Sequence, residues 1–186
     1  MKGFKDEAKN KKNSLLKKEI ISEAFYYHSK GNLIEAGKKY KYFLDQGFTD
    51  PRVFSNYAII LKGSGKLKES EKLARQSIQL KPNYDLAYLH LAGILKDYGK
   101  LEEAKKLYFK AIDLNPRLYQ AYSNLGNVLK DLGQLKDAET LMRRAIDLKP
   151  VDAVIHMNLG NILRELGQFK EAETMTRKSI SLSPNT

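Results

Sequence analysis

Gly31, Gly65, Gly99, Gly133 and Gly167 stand 34 residues apart. The residues around them recur with the same period. Two positions after each glycine comes Leu33, Leu67, Leu101, Leu135 or Phe169. Five after it comes a small residue: Ala36, Ser70, Ala104, Ala138 or Ala172. Seven before it stands Ala24, Ala58, Ala92, Gly126 or Gly160, and four before it Tyr27, Leu61, Leu95, Leu129 or Leu163. Self-similarity at this period is the mark of a stacked-repeat protein, in which each unit contacts its neighbours.

Spacings of three, four and seven place these residues on one helical face, so each unit reads as two helices. The glycine ends the first helix, where a left-handed residue is needed. The second helix runs from the residue two past the glycine to just before Pro82, Pro116, Pro150 or Pro184, because the residue before proline is pushed out of the helical region. Small residues where the two helices cross let the backbones approach closely. Asp50-Pro51 predicts a capped start for the second unit. Lys62-Gly63-Ser64-Gly65 lacks the spacing of a phosphate loop and reads as a helix-ending turn.

Leu91-Ala92, Leu125-Gly126 and Leu159-Gly160, the second-helix alanines and the prolines resemble the tetratricopeptide repeat family. Phe54, Tyr88 and Tyr122 match its aromatic site, while His156 departs from it. The resemblance runs in register through residues 17–186, as repeats 17–50, 51–84, 85–118, 119–152 and 153–186, behind a basic tail at 1–16. It implies an all-α fold, a right-handed superhelical solenoid of five helix-turn-helix repeats. Repeat one departs most, with Glu23 at a leucine site and Phe48 in place of the proline, and suggests an N-terminal cap. Its aromatics Phe25, Tyr26, Tyr27, Tyr40, Tyr42 and Phe43 read as core.

The net charge of +11 is uneven: residues 1–16 carry +3 and repeat two +5. A continuous basic track for nucleic acid is therefore not expected. Residues 1–13 read as a frayed tail, with Ser14 capping a helix that starts near Leu15. There is no cysteine, hence no disulfide framework or thiolate metal site. No apolar run is long enough to span a bilayer and no signal-peptide core is present, which reads as a cytoplasmic chain. Nothing resembling a capping helix follows the last repeat, so the chain is expected to be the arm of a longer protein or to self-associate through its uncapped C-terminal repeat.

No catalytic constellation is expected. His28, His90 and His156 fall two repeats apart, roughly 20 Å at about 10 Å per stacked helix, whereas metal–nitrogen bonds need about 2 Å. No metal site or cofactor is expected. The informative positions lie on the first helices. Asn56, His90, Asn124 and Asn158 recur once per repeat, with Asn127 and Asn161 nearby. They resemble the asparagine ladder in the tetratricopeptide arm of O-linked N-acetylglucosamine transferases, and the repeats also resemble bacterial multi-repeat proteins. That resemblance implies amides that hold a peptide backbone, and an amide both donates and accepts. A basic ladder, Lys62, Lys96, Lys130 and Arg164, follows on the same helices. It would favour acidic peptides if it faces the groove, or simply complement the helix dipole. The reading is a non-catalytic protein- or peptide-binding scaffold with a partner lying along its concave groove. The alternative is the substrate-presenting arm of a larger glycosyl-, sulfo- or methyltransferase.

Overall fold

The computed structural model describes residues 2–183, with side chains from Lys11 onward. Ten helices, and no strand, form among the described residues. They are α1 (Lys2–Ser29), α2 (Leu33–Asp45), α3 (Pro51–Gly63), α4 (Leu67–Leu80), α5 (Asp85–Asp97), α6 (Leu101–Leu114), α7 (Tyr119–Asp131), α8 (Leu135–Leu148), α9 (Ala153–Glu165) and α10 (Phe169–Leu182). They form five helix pairs in the predicted 34-residue register. The chain divides into two compact units, residues 1–82 with α1 to α4 and residues 83–186 with α5 to α10.

The helix ends follow from the residues that mark them. Gly133, at φ +75°, donates its N–H to the Lys130 carbonyl at 2.9 Å, and Gln134 donates to the Leu129 carbonyl at 2.8 Å. This paired closure recurs at the other ladder glycines, and it satisfies carbonyls that a helix end leaves open. Repeat one has an additional case that the period does not reveal: Gly47, at φ +74°, closes α2 where later repeats use proline. Helices α4, α6 and α8 end two residues before Pro82, Pro116 and Pro150. The stop expected at Pro184 lies outside the described residues, as do Asn185 and Thr186. Asp50 caps α3 by accepting from the Arg52 N–H at 2.9 Å, with Pro51 in the first turn.

The N-terminal expectation is corrected. Helix α1 is unbroken from Lys2 to Ser29, so residues 2–13 are not a frayed tail and Ser14 lies mid-helix rather than at a cap. The polar, lysine-rich composition suggested fraying, but it contains neither proline nor an internal stop beyond Gly3. Lys17 ties α1 to the loop before α3, donating to the Thr49 carbonyl at 2.8 Å.

Unit 1 is cored by Ile20, Ala24, Ala36, Tyr40, Phe43 and Val53. The aromatics of repeat one divide: Tyr40 and Phe43 are buried, but Tyr26 and Tyr42 are exposed. In unit 2 the second helix of one repeat packs on the first helix of the next, α6 on α7 and α8 on α9, while α7 also touches α5 and α9. The small residues sit at the crossings, as expected. Ala92, Ala104 and Ala138 are fully buried. A Cβ at Gly126 would lie 3.0 Å from Met142 Cε and 3.3 Å from the Ala138 carbonyl oxygen.

Where the crossing residue is serine, its hydroxyl is used. In unit 1, Ser70 donates to the Ala58 carbonyl at 2.6 Å. Ser77 reaches the Pro51 carbonyl at 2.7 Å, and in unit 2 Ser179 reaches the Ala153 carbonyl at 2.8 Å. Both bonds join the end of a second helix to the start of its partner, 26 residues back.

The close α7–α8 crossing predicts the effect of Gly126→Val. An added isopropyl group there must push α7 from α8 or force Met142 off its rotamer, at a cost of about 1–3 kcal/mol. Thermal melting followed by circular dichroism checks this; a melting temperature equal to that of the parent would show that the crossing is loose.

Candidate functional site

The amide ladder lies on the first helices, and the two units use it differently. In unit 1 Asn56, on α3, is half-buried and donates from Nδ2 to the Tyr40 hydroxyl at 3.3 Å. That hydroxyl also lies 3.0 Å from His28 Nδ1. With Asn56 donating into the oxygen, the hydroxyl proton can point to a neutral imidazole. Tyr40 is fully buried, and a buried phenol needs such partners. Asn56 thus helps hold the core of unit 1. Sequence reasoning gave it the same role as the later asparagines because its partner, Tyr40, belongs to the least regular repeat.

In unit 2 the picture changes. Asn124 and Asn127 lie one turn apart on α7, and Asn158 and Asn161 lie one turn apart on α9. All four are half-buried. Among the described residues, their side-chain amides form no hydrogen bond with the protein, and no buried side-chain nitrogen or oxygen lacks a partner. These amides therefore meet solvent, with both donor and acceptor available. Residues three apart on a helix are neighbours at about 5–6 Å, and α7 touches α9, so the two pairs share one face. His90 holds the equivalent place on α5 but is already engaged within the structure. His156 does not join the ladder. It is buried, and its Nδ1–H donates to the Asp152 carbonyl at 2.9 Å.

The basic ladder closes the first helices and pairs across repeats. Lys62, Lys96, Lys130 and Arg164 supply the carbonyls that accept from the ladder glycines, so each sits in the last helical turn where a cation complements the dipole. In unit 2 the side chains of Lys96 and Lys130 also reach an acid of the following repeat. Lys96 Nζ lies 4.0 Å from Asp131 Oδ2 and Lys130 Nζ 3.9 Å from Glu165 Oε1. These contacts sit at the limit of ion pairing and are partly exposed, hence individually weak. Each of these lysines thus meets the acid of the following repeat, a register that the sequence period alone does not reveal. Sequence reasoning also missed a stronger version on the second helices. Arg143 holds Glu139 on its own helix at 2.8 Å and Glu171 of the next repeat at 2.7 Å.

In unit 1 an open cleft of about 450 Å³ lies between α2, α3 and α4, lined by Phe54, Tyr57, Leu73 and Lys72 among others. Two of its charges, Lys41 and Asp45, pair with each other at 2.7 Å. Among the described residues no cluster of three His, Cys, Asp or Glu side chains could hold a metal, and no helix is long and apolar enough to cross a membrane.

Comparison with known proteins fits this geometry. Residues 94–133 match a model described as TPR repeat and residues 123–184 one described as tetratricopeptide repeat. The two matches together span residues 94–184, and the helix pairs before that stretch keep the same 34-residue spacing. A thermophilic TPR protein in Thermus thermophilus shares the fold with a TM-score of 0.78 at 19% identity, over 91% of this chain and 92% of that one. MamA from Desulfovibrio magneticus RS-1, from its residue 41 to its end, does so at 0.72 and 20%, over 91% and 96%. A MamA RS-1 double mutant gives 0.71 and 21%, over 90% and 94%. These identities speak to fold alone. No curated protein sequence matches the chain.

The unit 1 network predicts a pH effect. Burial holds His28 below its ordinary value. The unfolded chain then binds the proton more readily than the folded one. Stability is complete above the unfolded pKa of about 6.5 and falls as pH drops below it toward the folded value. The melting temperature should fall more steeply between about pH 7 and pH 5 in the parent than in His28→Gln. Parallel slopes would show that His28 titrates alike in both states.

Proposed function

We propose that this chain is a non-catalytic protein-binding scaffold that holds an extended peptide segment along the first-helix face of residues 83–186. One observation carries the reading: Asn124, Asn127, Asn158 and Asn161 present half-buried amides on adjoining helices, without internal partners among the described residues. An extended chain offers an N–H and a C=O at every residue, and a primary amide can pair with both whatever the side chains are. Half-burial supports this further, since an amide already partly shielded from water loses less on binding than a freely hydrated one. The lysines add a preference. Acidic side chains of the peptide would exchange with Asp131 and Glu165 for Lys96 and Lys130, whose present contacts are long and weak. Asn56, committed to Tyr40, contributes to stability more than to binding.

The test begins with selecting unstructured peptides on the full chain by display, then measuring the tightest one by calorimetry. Asn124→Ala with Asn158→Ala should weaken it by about tenfold or more, given about 1 kcal/mol per lost hydrogen bond. The circular dichroism melt should be unchanged. Equal affinity for the double variant and the parent would contradict the amide-ladder reading.

A further inference from the structure

Neighbouring second helices leave a trough between them, and the two units fill it differently. In unit 2 the trough between α6 and α8 is crossed by Lys105, which donates from Nζ to Gln134 Oε1 at 3.1 Å. The cleft that remains there is about 240 Å³. The same two positions in unit 1, two repeats earlier, are Gly37 and Lys66. Gly37 has no side chain to cross with, and open clefts of about 450 and 440 Å³ remain. Both are lined by Lys41, Tyr57 and Leu61, so they form one continuous trough along α2. Its length is that of the 13-residue helix, about 20 Å at 1.5 Å per residue.

Neither backbone nor packing demands glycine at position 37. It lies inside α2 and, unlike the ladder glycines, does not take a positive φ. A Cβ there would meet Ile60 Cγ2 at 3.4 Å and Tyr57 Cε2 at 4.0 Å, ordinary van der Waals distances. Glycine inside a helix is destabilising relative to alanine, so this position gives up stability and leaves the trough open. The walls are apolar, with Ile34, 73% exposed, and Ile60 at one end and Phe48 and Leu73 at the other. Where the two clefts meet, the half-buried Tyr57 hydroxyl forms no hydrogen bond among the described residues.

Charge and backbone chemistry say what fits. Residues 1–82, which make up unit 1, carry 18 Lys and Arg against nine Asp and Glu, which is +9 of the net +11. Along the trough, Lys38 pairs with Glu35 and Lys41 with Asp45, each at 2.7 Å. Lys66 and Lys72 are exposed and, among the described residues, form no ion pair. They outnumber Glu69, the acid of the walls that is likewise outside a pair. A ligand bearing carboxylates is therefore favoured over a neutral or basic one. The walls are helices whose N–H and C=O groups bond within each helix. An extended segment would bring unpaired backbone groups onto apolar side chains, whereas a helix satisfies its own.

We propose that this trough docks an acidic amphipathic helix of a partner protein, with its apolar face on Ile34, Ile60, Phe48 and Leu73 and its carboxylates beside Lys66 and Lys72. The apolar walls supply the buried centre, the two lysines set orientation, and Tyr57 offers a hydrogen bond at mid-length. The trough lies wholly in unit 1 and the amide ladder proposed for peptide binding lies in unit 2, so the two sites stand or fall separately.

The probe is a lactam-stapled peptide of about fourteen residues, with leucines three and four apart on one face and glutamates along both edges. It is titrated into the full chain and followed by fluorescence anisotropy. Binding is expected, and it should weaken as salt rises. Gly37→Lys, which recreates the crossing made by Lys105, should weaken it by about tenfold or more. The melting temperature of that variant should equal or exceed the parent's, because a helical glycine is removed. Lys66→Glu with Lys72→Glu should weaken binding by about tenfold, and a peptide with lysines in place of its glutamates should bind this variant better than the parent. In the parent, the peptide should shift the methyl resonances of Ile34, Ile60 and Leu73 and leave that of Ile180 unmoved. Absence of binding, binding indifferent to Gly37→Lys, or shifts at Ile180 without shifts at Ile34 and Ile60 would overturn the proposal. So would sedimentation showing that the chain alone forms oligomers that Gly37→Lys abolishes, since the occupant would then be a second copy.

Discussion

A helix of thirteen or fourteen residues is marginal in water by itself, and a pair of them still leaves an apolar side uncovered. Close approach between the two helices of a repeat, followed by cover from the next repeat, is the constraint on which the structure depends. The crossing positions therefore take Ala, Gly or Ser. Gly126 lies so near Met142 and the Ala138 carbonyl that a single methyl would be in tight contact. Where serine appears, its hydroxyl reaches a backbone carbonyl. Lateral ion pairs from one repeat to the next then bias register, chief among them Arg143 with Glu171.

Much of the fold was legible because the repeat writes each element five times. The second helices start at the predicted residues, Leu33, Leu67, Leu101, Leu135 and Phe169. The ladder glycines take the left-handed backbone that their place demands. Legibility was lost where the copies differ. Gly47 has no counterpart, so the end of α2 could not be inferred from the period. The helix through residues 2–13 was hidden by a composition that suits a solvated tail and a long helix equally.

The candidate site was half legible. Position alone put Asn56, Asn124 and Asn158 in one ladder, yet the partners of each amide depend on residues distant in sequence. Tyr40 converts Asn56 into a support for the unit 1 core, whereas nothing comparable among the described residues reaches Asn124 or Asn158. The cation ladder has the same lesson. A last-turn lysine suits the helix dipole in any helix, but only the stacking of α7 on its neighbours brings Lys96 toward Asp131 and Lys130 toward Glu165.

The most direct measurement follows the side-chain NH₂ signals of Asn124, Asn127, Asn158 and Asn161 by nuclear magnetic resonance while a selected peptide is titrated in. All four pairs should shift together and saturate at one equivalent, with the Asn56 pair unmoved. If those four stay fixed while residues of the second helices α6 and α8 respond, the peptide lies elsewhere and the amide ladder is not the binding face.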